Sequence, residues 1–76
     1  SIFPNPTSNN ITLRNRSEHN LQTASIYDLT SKLLNIIDLK GKNNDFQISL
    51  NNYPSGSYIV KILLNNKIIT KIIIKQ

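Results

Sequence analysis

The stretch Tyr58-Ile59-Val60-Lys61-Ile62-Leu63-Leu64 repeats with a period of two. Successive strand side chains point to opposite faces, so Tyr58, Val60, Ile62 and Leu64 share one face and Ile59, Lys61 and Leu63 the other. No helical period persists along the chain, and the same alternation recurs. Phe46, Ile48 and Leu50 alternate with Gln47 and Ser49, and Ile11 and Leu13 share a face of a short strand over 11–13. Residues 21–29 form another strand with Ala24 and Ile26 inward; Thr30-Ser31 turns the chain, and 32–39 returns. Residues 41–45 make a polar loop and 51–56 a turn region. Asn65-Asn66 reads as a two-residue hairpin loop, where asparagine would supply the positive φ of a type I′ turn. The last strand spans 67–75. Its expected inward face is Ile68, Thr70, Ile72 and Ile74, with Lys67, Lys71 and Lys75 outward and Ile69 and Ile73 between them. Six or seven short strands at hairpin spacing predict an all-β antiparallel sandwich. One segment has an alternative: SKLLNIIDLKG places Leu33, Leu34 and Ile37, with Ile36 beside them, at helix-like spacing and ends at Gly41.

A chain of 76 residues makes one small domain. A domain of this length buries roughly 60–65% of its unfolded surface, so its stability margin is thin. There is no cysteine, hence no disulfide or thiolate zinc site. The longest isoleucine run, Ile72-Ile73-Ile74, lies between Lys71 and Lys75, far short of the roughly 20 apolar residues of a membrane helix. The chain opens on Ser1 without a signal peptide, which reads as a piece excised from a longer protein. Net charge is +5, which permits an anionic partner. The abundance of Asn, Ile and Lys fits a biased genome equally well.

Catalytic chemistry finds little to stand on. His19 is the only histidine and lies in the polar stretch NRSEHN, where it reads as a solvated loop residue rather than a base. No G-x-S-x-G elbow is present. The acids Glu18, Asp28, Asp38 and Asp45 are dispersed and lack calcium-loop spacing. Asp28, at a strand end, reads as an acceptor for the backbone N–H groups of its turn. No glycine-rich phosphate cradle exists, and no cofactor or metal is expected. Gly56 follows Pro54 in a turn that calls for positive φ. The aromatics Phe3, Tyr27, Phe46, Tyr53 and Tyr58 form no stripe interleaved with basic residues, so nucleic acid is not the expected partner. Lysines on a terminal strand read more simply as protection against edge-to-edge aggregation.

Three motifs in order carry more information than any one residue. They are IFPNPTSNNITL at 2–13, YPSGSYIVKI at 53–62 and TKIIIKQ at the end. This set resembles the C-terminal sorting domain of the type IX secretion system, type A, and the segment ASIYDLTSKLL resembles that family's strand–Asp–turn–strand unit. The resemblance covers essentially the whole chain. It implies a small immunoglobulin-like antiparallel β-sandwich with no enzymatic activity. It also implies that residues 1–76 form one C-terminal sorting domain of a larger exported protein. Such a domain follows a passenger, transits the periplasm and is read by the outer-membrane secretion machinery. It is then cut off by a sortase-like protease, leaving the passenger at the cell surface or secreted. Carried onto this chain, the recognition motifs fall on Pro4, Asn5 and Pro6, on Ser55, Gly56 and Tyr58, and on Lys71, Ile72, Ile73, Ile74 and Lys75. Ser31 departs from the glycine common at its turn, which puts the hairpin geometry there in question.

Pro4 and Pro6 fix two φ angles and hold Phe3 and Asn5 extended, a stiff boundary for a linker. The terminal strand could be read by strand addition, with Lys71, Ile73 and Lys75 outward. In the opposing reading, Ile72 and Ile74 only complete the core. A different class of function, an accessory carbohydrate-binding or adhesive module of a secreted enzyme, would require exposed aromatics, for which Tyr27 and Tyr53 are the candidates.

Overall fold

The structure, a computed structural model, describes residues 2–3, 9–14, 20–41 and 46–76. Within them the chain forms β1 (Ile2–Phe3), β2 (Asn10–Leu13), β3 (Leu21–Tyr27), β4 (Leu33–Asp38), β5 (Phe46–Ser49), β6 (Gly56–Leu64) and β7 (Ile68–Lys75). One sheet has the order β1-β2-β5 and the other β4-β3-β6-β7, with every pairing antiparallel. This is a small immunoglobulin-like sandwich whose fourth strand pairs with the third, rather than joining the sheet of the first, second and fifth as in constant-type domains.

The core forms where apolar residues occupy one parity of a strand. Ile11 and Leu13 of β2, Ala24 and Ile26 of β3, and Ile48 of β5 with the following Leu50 are all buried. So are Tyr58, Val60, Ile62 and Leu64 of β6. These are the inward faces expected from the sequence. Phe46 is half-buried and packs against the cluster. The segment open to a helical reading is a strand, β4, paired residue by residue with β3. A helix would gather its apolar residues on one side. The strand instead turns Leu34 and Ile37 toward the core and leaves Leu33 and Ile36 exposed. A bulge breaks the register at Ile26/Tyr27: Ile26 pairs with Asn35 and the next residue, Tyr27, with Leu33, so the register skips Leu34. Beyond β4, Leu39 is fully buried and its N–H donates to the Gln22 carbonyl at 2.9 Å.

The turn between β3 and β4 is organised by Asp28. Its Oδ1 accepts from the Thr30 hydroxyl at 2.6 Å, the Thr30 N–H at 2.9 Å and the Lys32 N–H at 3.0 Å. The Thr30 hydroxyl above all, then the Lys32 N–H, holds the carboxyl below the ordinary aspartate range. Asp28 is thus the structural acceptor its position implied. Ser31 takes φ +70°, the only positive value at a non-glycine among the described residues, so it adopts the backbone that glycine would fill without strain. Relief of that strain should outweigh the extra chain entropy of glycine, and Ser31→Gly is expected to raise stability by about 0.5–1 kcal/mol. A urea midpoint that falls on substitution would contradict this account.

The terminal strand overturns two expectations. First, its inward face is the odd one. Ile73 is 0% exposed, whereas Ile68, Ile72 and Ile74 are 63%, 57% and 47% exposed. Leu64 donates its N–H to the Lys67 carbonyl at 2.8 Å, which closes a two-residue loop. Tyr58 then falls opposite Ile73, Val60 opposite Lys71 and Ile62 opposite Ile69. Directly paired residues share a face, so the inward even residues of β6 select the odd residues of β7. Lys71 and Ile69 share that face with Ile73 yet remain exposed, on the outermost strand of the larger sheet. Second, neither Asn65 nor Asn66 takes positive φ, so the loop has two residues but is not type I′. Asn65 is held instead from β3, its Oδ1 accepting from Gln22 Nε2 at 2.9 Å. Ile73→Ala is expected to cost about 2–4 kcal/mol. Ile72→Ala and Ile74→Ala should each cost under about 1 kcal/mol. Denaturant titration of the three variants checks the register directly, and equal losses would sink it.

Candidate recognition site

The turn that opens β6 is built from short-range contacts. The Tyr53 N–H donates to the Leu50 carbonyl at 3.0 Å, and the Leu50 N–H donates to the Asn9 carbonyl at 2.7 Å. Leu50 is fully buried, so this corner is anchored in the core. The Tyr58 hydroxyl folds back to donate to the Pro54 carbonyl. The Tyr53 ring lies 5.5 Å from the Tyr58 ring, tilted by 33°, and packs against the core cluster. Tyr58 therefore buries its ring and satisfies its hydroxyl at the rim.

Gly56 starts β6 at φ +154°, where a Cβ would meet no atom within 4 Å. Its side-chain-free backbone is required by the angle, not by crowding. Gly56→Ala is expected to lower stability by about 1–3 kcal/mol through backbone strain alone. The same loss should appear on Gly56→Ser, and a neutral result in a thermal melt would show that the turn adjusts.

The last residues close on this corner. Gly56 pairs with Lys75, Ser57 with Ile74 and Tyr58 with Ile73. The Lys75 ammonium donates to the Tyr53 carbonyl. Two motifs far apart in sequence thus become one unit: Gly56 and Tyr58 on β6, with Ile73 and Lys75 on β7. Ser55 is exposed beside it, as are Lys71, Ile72 and Ile74. Lys75 is half-buried, so of the terminal lysines it is the structural one. Pro4, Asn5 and Pro6 lie outside the described residues, as do Glu18, His19 and Asp45. Among the described residues no cluster of His, Cys, Asp or Glu could hold a metal ion. No helix among them is long and apolar enough to cross a membrane.

The roles of Tyr53 and Asn9 were not visible in the sequence. Tyr53 acts through its carbonyl and a half-buried ring, and Asn9 through its carbonyl; neither use leaves a side-chain pattern. Tyr27, the other candidate for a sugar platform, lies on the opposite face of the larger sheet, opposite Ile59. The two rings do not form one platform.

A family model described as the secretion system C-terminal sorting domain matches residues 1–76, the whole chain. The chain belongs to that family. No curated protein matches it significantly. The family is that of the type IX secretion system, and its members are sorting signals rather than enzymes. A type IX sorting domain marks a secreted or cell-surface protein and acts with the secretion machinery on behalf of a passenger.

Proposed function

We propose that the sorting domain is the C-terminal module, over residues 1–76, of a longer exported protein. It folds in the periplasm, presents its terminal strand to the outer-membrane machinery, and is cut from its passenger by a sortase-like protease after translocation. The observation that carries this reading is the union of the second and third motifs. Tyr58 and Gly56 hold Ile73 and Lys75 in register, while Lys71, Ile72 and Ile74 of the same strand face solvent. A recognised strand needs both properties: a fixed backbone and accessible side chains. Pro4, Asn5 and Pro6 would mark the boundary toward the passenger, since two prolines stiffen the chain there.

The test is a secretion assay. With this chain at the C-terminus of a periplasmic reporter, in a host with type IX machinery, the reporter should reach the surface or medium, shortened by the length of the domain. Deleting 71–76 should hold it in the periplasm. That deletion also removes Ile73 from a small core, so Lys71→Glu serves as the variant that leaves the core intact; it should lower export while the melting temperature stays unchanged. A full-length fusion retained in the periplasm would refute the sorting role, and one exported at its full mass would refute the cleavage.

A further inference from the structure

The outer face of the larger sheet is not explained by the core or by the hairpin. Its centre is Lys61, in the middle of β6. Ile59 and Leu63 flank it on its own strand, and Ile68 and Ile72 lie diagonally across on β7. Its ammonium stands over the Tyr27 ring, 5.1 Å from the centroid. Leu63, Ile68 and Ile72 are 40%, 63% and 57% exposed. Thr70 on β7 and Ser25 on β3 pair directly with Lys61, so a short polar row centred on the ammonium crosses the face, with apolar side chains on either side of it. Among the described residues, the acid it carries is Asp38, at the far end of β4, opposite Thr23.

That arrangement selects among occupants. A bilayer suits a surface whose cations ring an apolar centre, because the charges then stay among the headgroups. Here the cation is central and would be driven toward hydrocarbon, which is costly. A second copy would bring two such faces together with Lys61 at the heart of each, in a chain of net charge +5. Like charges in a closing interface oppose association. A protein surface with a carboxylate set among apolar side chains meets both requirements: it pairs with Lys61 and covers the isoleucines and leucine around it. The face spans about 400–500 Å² from strand spacing and rise. A stable interface takes about 800 Å² from each partner. The contact is thus transient, as suits a domain that must be released.

We infer that the outer face centred on Lys61 is the surface by which an acidic, apolar-rimmed protein partner in the export pathway docks the sorting domain. This rests on the sorting role proposed above. In the reporter fusion, Lys61→Glu is expected to lower export at least tenfold and Ile72→Ser at least fivefold, whereas Lys61→Arg stays within twofold of the parent. Melting temperatures should fall by no more than about 8 °C, since both side chains are exposed. Lys61→Gln removes the charge without adding one and serves if Lys61→Glu unfolds the domain. Export of the charge-removing variants at the parental level overturns this proposal alone. Failure of the unmodified fusion to leave the periplasm overturns the sorting role and this proposal with it. Two further outcomes would also overturn it: co-sedimentation of the fusion with phosphatidylglycerol vesicles that Lys61→Glu abolishes, or a dimer that Ile72→Ser dissolves.

Discussion

Leu64 and Lys67 close a two-residue hairpin, and that closure decides the orientation of every residue after it. Because paired residues share a face, the sum of their numbers is constant along β6 and β7, and the buried parity of one strand dictates that of the other. Ile73 is thereby placed in the core beside Tyr58, while Ile72 and Ile74 turn to solvent. A hairpin one residue longer would reverse this order. The candidate site and the outer apolar face are both consequences of that one loop length.

The second constraint is the position of the terminal strand. β7 is the outermost strand of the larger sheet, paired along its whole length with β6, and its end carries further anchors. Ile73 enters the core, and Lys75 reaches the Tyr53 carbonyl. The corner that receives them is anchored by Leu50, which links Asn9 to the Tyr53 turn. A small domain without disulfides thus ties its terminal strand down at the point where the strand's own sequence motif lies, and leaves neighbouring side chains of that motif accessible.

Much of the fold was legible because most strands carry apolar residues on one parity only. In β2 and β5, and in the Ala24–Ile26 pair of β3, the alternation allows a single inward face. In β6, Lys61 marks the outer face even though Ile59 and Leu63 accompany it. In β7, isoleucine occupies both parities, so alternation alone does not choose the inward face; the length of the hairpin loop does. The site was legible in part. Gly56 and Tyr58 could be singled out by turn chemistry and alternation, and the turn at Asp28 by its acceptor. The contact of Lys75 with Tyr53 joins residues 22 apart through a backbone carbonyl, which no residue type announces.

Period, turn residues and ordered motifs carried six of the seven strands, the inward faces of β2, β3, β5 and β6, and the family; β1, two residues long, has no period to read. Strand pairing settled which isoleucines of the last strand are buried, how two distant motifs meet at one corner, and that apolar side chains gather on either side of Lys61 on the outer face. Such pairing belongs to the tertiary structure and is not a property of any single segment.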